Sequence, residues 1–347
     1  AKPNLRSHWN AALWPRNLKD LDMVQVSLKD IEATTQAALV AQGADAFAAA
    51  EVARAVAAAE SVGNRICGLY YVESYCQQLK SGRVKGDVVP VVSTPRSAVV
   101  NVDALFGFAQ PAFAYGLPVA LDAARQAGIA TLAVGHAHTC TSLGYFTEQI
   151  ARAGLIGLGF TNASPIVAAP GGKSRVIGTN PISFAVPDGR GGVAMLFDQS
   201  TTTVALGKIT MAQAAGEAIP EGWALDEAGN PTTDPEAALK GSLVSVGGYK
   251  GWGFGLMAEL LAAGMTGGVL SKDVKPLKAP EGAPHDLGQY YILIDPSASH
   301  AFAARLKELS AAAAQDPGAR MPGQGKKPAD PVEVKDAVWA QIKGFAG

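Results

Sequence analysis

The run IATLAVG, residues 129–135, constrains the fold most strongly, because a short apolar and β-branched run of this kind is a buried strand. The helical pattern QPAFAYGLPVALDAARQAG comes before it. The loop HAHTCTSLG, a second helical pattern (YFTEQIARAG) and a further strand (LIGLGFTN) come after it. Alternation of strands and helices is typical of the α/β class.

The second half of the chain replaces the alternation of strands and helices with short strands joined by turns. RVIGTNPISFAVPDGRGGVAMLFDQST consists of short strands separated by Gly, Pro, Asn and Asp turns, which predicts antiparallel or mixed pairing. LVSVGGYKGWGFGLMAELLAAGMTGG is a strand, a glycine loop and a helix. We therefore predict an α/β fold with a mixed sheet and flanking helices.

Composition excludes several function classes. The 347 residues carry a formal net charge of −1, which provides no basic surface for nucleic acid or an anionic membrane. No apolar run reaches the ~18 residues of a membrane helix. The three cysteines form no CxxC pair, which favours a reducing cytoplasm. We expect a cytoplasmic protein that acts on a small molecule.

The first 22 residues contain no signal-peptide core. We interpret them as an extended start, with Met23 as the functional beginning. The alternative is an arm that packs its two tryptophans on a neighbouring subunit.

The stretch ESVGNRICGLYYVESY begins where an Ala-rich helical pattern ends, at Gly63. A helix end is a place where side chains are presented. Cys67 is either a small apolar filler or a reactive thiol, and activation would require a nearby cation, for which Arg65 is the local candidate.

Other candidate residues lie at strand ends and glycine loops. Asp198 ends an apolar strand, where it either orients an acid or substrate amine or caps a turn. Lys250 begins a helix after two glycines, which suits either a phosphate contact or a solvated turn. His136 and His138 alternate, but no third ligand is evident, so we predict no metal site. The loose GxGxxA pattern at 253–258 more readily indicates close helix packing than a dinucleotide site.

Six motifs together resemble the malate/L-lactate dehydrogenase-2 family of NAD(P)H-dependent oxidoreductases. They are VDALFGFAQPA, FTNASPIVAAPGG, IGTNPISFAVP, FDQST, PEGWALDEAGNPTTDP and GGYKGWGFGLMAELLAAGMTGG. The match runs from about residue 25 to 325. GFAQPA looks most like the branch that reduces Δ1-piperideine-2-carboxylate and Δ1-pyrroline-2-carboxylate.

The resemblance implies a non-Rossmann nicotinamide-binding fold, a homodimer, and hydride transfer between the cofactor and a keto, hydroxy or cyclic imino acid. It also implies a helical substrate domain begun by residues 23–125, a cofactor-binding domain over 126–290, and C-terminal helices over 291–347. The last segment would complete the first domain and the cofactor site.

The resemblance places the family's Ser-His-Gly motif on Ile66, Cys67 and Gly68. The family histidine is the proton donor, the serine supports it, and an arginine four residues past the histidine grips the substrate carboxylate. Here the arginine position is Tyr71, so all three chemical groups are missing. The relay aspartate matches Asp198, and the substrate-binding threonine matches Thr179.

The family's cofactor loops also match segments of this chain. Its His-Phe-Gly-Ala-Ala-Gly loop matches TCTSLG, which places Thr139 at the histidine unless the register slips by one and His138 takes that role. The implied cofactor contacts are Thr139, Cys140, Thr141, Ser142, Leu143, Asp188, Gly189, Arg190, Tyr249, Lys250, Pro322, Gly323, Gln324, Gly325, Lys326 and Lys327. Arg190, Lys326 and Lys327 suit a 2′-phosphate, which favours NADP over NAD.

We therefore expect a reductase that favours cyclic imino acids, because a protonated C=N needs a proton donor less than C=O does. Cys67, Tyr70, Tyr71, His136 and His138 are the candidate substitute donors. The alternatives are a 2-hydroxy acid dehydrogenase, a cofactor-binding paralogue without redox activity, and a different reaction with Cys67 as nucleophile.

Overall fold

The structure is a computed structural model that describes residues 23–347. The predicted arm or extended start over residues 1–22 lies outside the described residues. The strands are β1 (Met23–Val26), β2 (Val91–Arg96), β3 (Val99–Asp103), β4 (Ile129–Ala137), β5 (Ile156–Thr161), β6 (Val167–Ala168), β7 (Arg175–Ile177), β8 (Ile182–Pro187), β9 (Val193–Gln199), β10 (Ala224–Leu225), β11 (Pro231–Thr232), β12 (Ser242–Leu243), β13 (Leu287–Ile294) and β14 (Val332–Lys335).

The helices alternate with these strands over most of the chain. They are α1 (Leu28–Ala41), α2 (Ala46–Ser61), α3 (Leu69–Ser81), α4 (Ala109–Ala127), α5 (Gly144–Arg152), α6 (Leu206–Ala215), α7 (Pro235–Lys240), α8 (Tyr249–Glu259), α9 (Phe302–Ala313) and α10 (Asp336–Ala346). A π-helical turn, Leu260–Gly264, continues α8. Within residues 23–347, no helix is both long and apolar enough to cross a membrane.

A seven-stranded mixed sheet forms the centre, in the order β2-β3-β4-β13-β5-β8-β9. β3 and β4 are parallel, and the other neighbours pair antiparallel. The predicted buried strand is β4, which pairs with β3 on one side and β13 on the other. Apolar residues on both faces of these strands explain why the sheet is covered on both sides.

Helices α4 and α5 cover one face, where Phe113 and Phe146 pack with Leu132 and Tyr291. Helix α8 and its π-helical continuation cover the other face near Phe160 and Tyr290. The predicted mixed sheet with flanking helices is confirmed.

Helix α8 also reaches a smaller five-stranded sheet, of order β11-β10-β12-β6-β7. A Cβ on Gly255 would lie 2.5 Å from Ile177 Cδ1 on β7. Gly255 of the GxGxxA pattern therefore serves close helix packing, whereas a Cβ on Gly253 would meet no atom within 4 Å.

The two ends of the described chain meet in a third layer. β1 and β14 pair antiparallel, and α10 packs on α1 and α3 around Trp339 and Ile342. Before this return, residues 322–327 run along the middle of β9, where Leu196 N donates to the Pro322 carbonyl. The division at residues 125 and 290 stays a prediction, and β13 spans the second boundary.

Candidate active site

A single 3-10 turn, Arg65–Cys67, presents Cys67 between α2 and α3. The Glu60 carboxylate accepts a hydrogen bond from Leu69 N at 2.7 Å and so caps the first turn of α3. A Cβ on Gly68 would lie 2.2 Å from Glu60 Oε1. Glycine at this position therefore allows the capping carboxylate to reach the helix and fixes the direction of the Cys67 turn.

Asp198 lies near the end of β9 and faces the start of α5. Its Oδ2 accepts from Gly144 N at 2.7 Å. A Cβ on Gly144 would lie 2.8 Å from the same oxygen, so the glycine leaves room for the carboxylate. An acceptor at the first residue of a helix is stabilised by its free N–H groups and its dipole. Asp198 thus ties β9 to the loop that precedes α5.

The Asp198 carboxylate acts through space on the Cys67 thiol, and the region around these two side chains is called the cleft below. Burial raises the pKa of the Cys67 thiol to about 11, and the Asp198 carboxylate adds to the rise, whereas Asn64 and the Lys278 ammonium oppose it. Burial also raises the pKa of Asp198, against the Gly144 N–H and the Lys326 charge. By accessible surface Cys67 is half-buried and Asp198 is exposed, so protein atoms surround the two groups without closing them off from solvent. At neutral pH the thiol is therefore protonated, which disfavours the nucleophile hypothesis.

Tyr71 is buried one turn into α3, with 7% of its surface exposed. Its ring lies 4.9 Å from that of Tyr75, and the Lys278 ammonium lies 5.0 Å from its centroid. Burial raises the pKa of the Tyr71 phenol, with Cys67 adding to the rise. Tyr71 is therefore an uncharged aromatic residue at the edge of the cleft, and the Lys278 ammonium lies over its ring.

The first predicted cofactor loop, residues 139–143, joins β4 to α5 beside the Cys67 turn. Asn64 Nδ2 donates to Ser142 Oγ at 3.5 Å, and Gln110 Nε2 donates to the Cys140 carbonyl at 3.4 Å. Thr141 has a positive φ of 60°. Thr139, Cys140 and Leu143 are buried, so Thr141 and Ser142 are the side chains that this loop offers to the cleft.

The C-terminal predicted loop, residues 322–327, lies against β9. Leu196 N donates to the Pro322 carbonyl at 3.0 Å, and a Cβ on Gly323 would lie 2.9 Å from Leu196 O. Gly323 has a φ of 76°, which glycine adopts without strain. This contact brings Lys326 close enough to Asp198 to oppose the rise of its pKa.

Two cavities flank the loop of residues 322–327. One of about 440 Å³ is lined by Arg65, Lys326 and Lys327 together with Glu60 and Glu333. The other, of about 850 Å³, is lined by Asp188, Gly189, Arg190 and Gln324 with α9. Cationic side chains around concave space of this size fit the phosphates of a dinucleotide. The residues present therefore fit the nicotinamide cofactor that the sequence predicts.

The other predicted contacts lie in turns. Asp188 Oδ1 accepts from Arg190 N at 2.7 Å and from Gly192 N at 2.9 Å, which builds the exposed turn at 188–192. The Thr179 carbonyl accepts from Thr201 N at 2.9 Å. Tyr249 and Lys250 are exposed at the first turn of α8. Within residues 23–347, none of these hydrogen bonds reaches the Cys67 turn, and their binding roles stay predictions.

His138 lies inside the protein, with 1% of its surface exposed. Its Nε2 is 2.5 Å from Gln78 Oε1, and its ring stacks on His285 at 4.0 Å. Because the Gln78 amide nitrogen donates to the carbonyls of Leu277 and Ala279, its oxygen accepts from His138 Nε2–H. His138 therefore joins α3 to the loop before β13, and its predicted substrate contact stays a prediction.

Acid is expected to destabilise the protein through this histidine pair. Burial lowers the pKa of His285 to about 3, with Arg83 next in effect, and burial also lowers the pKa of His138. The unfolded chain binds protons below about pH 6.5 that the folded pair excludes. Stability is therefore complete above that pH and falls as pH drops toward 3, by about 1.4 kcal/mol per unit for His285.

The measurement is the free energy of unfolding by urea between pH 7 and 4. His285→Phe keeps an aromatic ring on His138 and removes one titrating group, so its loss per pH unit should be smaller than that of the wild type. Identical slopes for the two proteins would show that His285 does not titrate in this way.

Several residues of the site carry no motif in the sequence. Lys278 belongs to VKPLKAPEGAPHD, a polar stretch in which proline and glycine indicate only a loop. Arg83 follows the glycine that ends α3, and its partners are nearly 200 positions away in the sequence. The sequence marks the loop and the helix end, but only the fold shows that they meet.

The fold and the cleft define an α/β enzyme with a carboxylate and a protonated thiol beside loops suited to a dinucleotide. A protein-family model described as malate/L-lactate dehydrogenase matches residues 26–343. The chain belongs to this family, as the sequence motifs predict, and is an oxidoreductase.

Relatives of this chain carry two kinds of name. The chain is 38% identical over 327 residues to the (2R)-3-sulfolactate dehydrogenase (NADP(+)) of Chromohalobacter salexigens, which covers 92% of this chain and 98% of that enzyme. It is 35% identical to the Δ1-pyrroline-2-carboxylate reductase of Ancylobacter novellus, over 93% of this chain and 97% of that enzyme. The crystal structure of Δ1-piperideine-2-carboxylate reductase from Pseudomonas syringae pv. tomato is 32% identical, has a TM-score of 0.83, and covers 93% of this chain and 99% of its own.

Proposed function

We propose that this protein is an NAD(P)H-dependent reductase that adds hydride to the C=N bond of a small cyclic 2-imino acid. The observation that carries the proposal is the side chain at position 67. The position that the resemblance assigns to the proton donor holds a thiol whose pKa is raised to about 11 by burial and then by the Asp198 carboxylate. Two of the relatives named above are reductases of cyclic imino acids.

The chemistry of the substrate explains why a weak acid suffices. A cyclic imine that binds as an iminium already carries the proton of the product amine, whereas a ketone develops alkoxide charge that must be protonated. The cofactor supplies the hydride when bound. The protonated Cys67 thiol adds no charge to the cleft, and the Asp198 carboxylate favours a cationic iminium beside it.

We propose NADPH as the preferred cofactor. Arg190, Lys326 and Lys327 lie at the two cavities that flank residues 322–327, where each can meet a phosphate. The sulfolactate dehydrogenase among the relatives is named for NADP(+). Thr179 and Tyr71 are proposed substrate contacts, and residues 139–143 and 249–250 further cofactor contacts.

A homodimer in the cytoplasm is the proposed setting. Helix α8, its π-helical continuation and the residue that follows it expose large apolar side chains, with Phe254 at 54%, Leu260 at 65% and Met265 at 58% of their surface. Apolar exposure along one continuous helix is typical of a subunit interface.

The test is a matched panel of substrates with NADPH and with NADH. Δ1-pyrroline-2-carboxylate and Δ1-piperideine-2-carboxylate are compared with pyruvate, oxaloacetate and 3-sulfopyruvate under identical conditions. We expect kcat/KM to be about 100-fold higher for the imino acids, the lower end of what a general acid contributes to ketone reduction. Faster reduction of the keto acids, or no cofactor binding at millimolar concentration, would contradict the proposal.

A 2-hydroxy acid dehydrogenase is the second candidate. The 38% identity to the sulfolactate dehydrogenase supports it. The same panel decides between the candidates, because 3-sulfopyruvate would then be the best substrate. Cofactor binding without turnover of any member would instead favour a paralogue that has lost its redox activity.

A further inference from the structure

The position that corresponds to the family's carboxylate-gripping arginine is Tyr71, which has no positive charge. A cation nevertheless lies beside it: Lys278 Nζ is 5.0 Å from the centroid of the Tyr71 ring. We propose that Lys278, from the loop before β13, binds the substrate carboxylate in place of that arginine. The proposal rests on the proposed function and names one residue of its substrate site.

Helix α3 holds the loop of Lys278 in a fixed position. Gln78 Nε2 donates to the carbonyls of Leu277 at 2.8 Å and Ala279 at 2.7 Å, directly on either side of Lys278. Ser81 Oγ donates to the Pro280 carbonyl at 2.7 Å. Because α3 begins at Leu69, two residues after Cys67, the same helix sets the positions of the thiol and of the lysine loop.

Arg83 fixes the same loop from the end of α3. Its guanidinium is buried and donates to three loop carbonyls, those of Pro276, Ala279 and Ala283, at 3.0, 2.5 and 3.0 Å. An arginine that ties backbone carbonyls together orders the loop. The loop of Lys278 therefore loses its conformational entropy when the protein folds, so less entropy is lost when a ligand binds.

The ammonium group itself remains available for a ligand. Lys278 is exposed. Its ammonium lies over the face of the Tyr71 ring. A contact with a ring face leaves the N–H donors of the ammonium able to bind an anion. Its charge opposes the rise of the Cys67 pKa, so its field reaches the thiol.

The arrangement of charges matches one class of ligand. Asp198 and Lys278 both act on Cys67, with opposite sign. In a cyclic 2-imino acid, the protonated ring nitrogen is bonded directly to the carbon that carries the carboxylate. Such a molecule can place its cation toward Asp198 and its carboxylate toward Lys278 in one orientation.

The experiment measures binding of a carboxylate without turnover. Pyrrole-2-carboxylate is a planar cyclic probe, and pyrrole-2-carboxamide is its neutral counterpart. Both are titrated calorimetrically into the full chain in the presence of NADP+. Lys278→Ala should weaken carboxylate binding by about 10- to 100-fold, as expected for loss of a charge-assisted hydrogen bond, and leave carboxamide binding unchanged.

Two variants control the experiment. Lys278→Arg keeps the charge and should bind the carboxylate within a few-fold of the wild type. Lys275→Ala removes an exposed lysine three residues away and should have no effect. Carboxylate binding that is absent in the wild type, unaltered in Lys278→Ala, or lost equally with the carboxamide would overturn the inference. A thermal melt confirms that each variant is folded.

Kinetics separate this inference from the proposed function. With Δ1-pyrroline-2-carboxylate, Lys278→Ala should raise KM by a similar factor and change kcat little. If the wild type reduces the imine and this KM does not change, the inference about Lys278 fails alone. If carboxylate binding depends on Lys278 but no C=N substrate is reduced, the proposed function fails alone.

Discussion

Asp198→Asn is expected to lower kcat/KM for cyclic imino acids by about 100- to 1,000-fold, the range measured when a preorganised electrostatic contact is removed. The asparagine oxygen still accepts from Gly144 N, so the start of α5 should keep its cap. What is lost is the negative charge beside the iminium. Cofactor affinity should change little, because the loop before α5 stays in place.

The measurement is steady-state reduction together with a fluorescence titration of the cofactor. Asp226→Asn is the matched control, because Asp226 is an aspartate that supports a turn in the smaller sheet by accepting from Asn230 N at 2.9 Å. In the wild type, protonation of Asp198 should also lower kcat/KM at acid pH. Because burial raises the pKa of Asp198, this loss should begin above the ordinary aspartate range, and it should be absent in the variant. A rate within threefold of the wild type would exclude an electrostatic role for Asp198.

The double variant Ile66→Ser/Cys67→His is expected to raise kcat for 2-keto acids by about 100-fold or more, the usual contribution of a general acid. The wild-type thiol, with its pKa at about 11, is a weak donor to a developing alkoxide. An imidazolium titrates near neutral pH and would be stabilised by the Asp198 charge. Imine reduction should change far less, because its substrate arrives protonated.

The structure accepts the smaller serine side chain at position 66. Ile66 is 54% exposed, and its Cδ1 is the nearest atom to a Cβ placed on Gly207 of α6, at 2.9 Å. Serine at position 66 opens that side of the cleft. Cys67→Ala is the control, and it should retain imine reduction within a few-fold. If the double variant folds and binds cofactor but gains no keto-acid activity, the missing proton donor is not what limits ketone reduction.

Much of the fold follows from local pattern. The run at residues 129–135 is a strand at the middle of the sheet because its apolar and β-branched residues require cover on both faces. The helix after the glycine loop at residues 247–248 begins at Tyr249, and Gly255 serves close packing as expected. Such features depend on a few adjacent residues, so the sequence predicts them well.

The candidate site divides along the same line. Motifs with fixed spacing allow the sequence to predict one part of the site, namely Ile66, Cys67, Tyr71 and Asp198. The sequence does not predict that His138 is buried against His285, since the two residues are far apart in the chain and meet only because β4 pairs with β13.

By itself, the sequence determined the family and the mixed α/β architecture, and it predicted a change at the proton-donor and carboxylate-binding positions, because each depends on residue identity at a fixed spacing. The tertiary structure alone decided which cation stands beside Tyr71. Lys278 arrives there because Gln78, Ser81 and Arg83 bind the carbonyls of a loop about 200 residues away. Backbone carbonyls are the same in every residue, so no sequence pattern marks which ones a side chain will find.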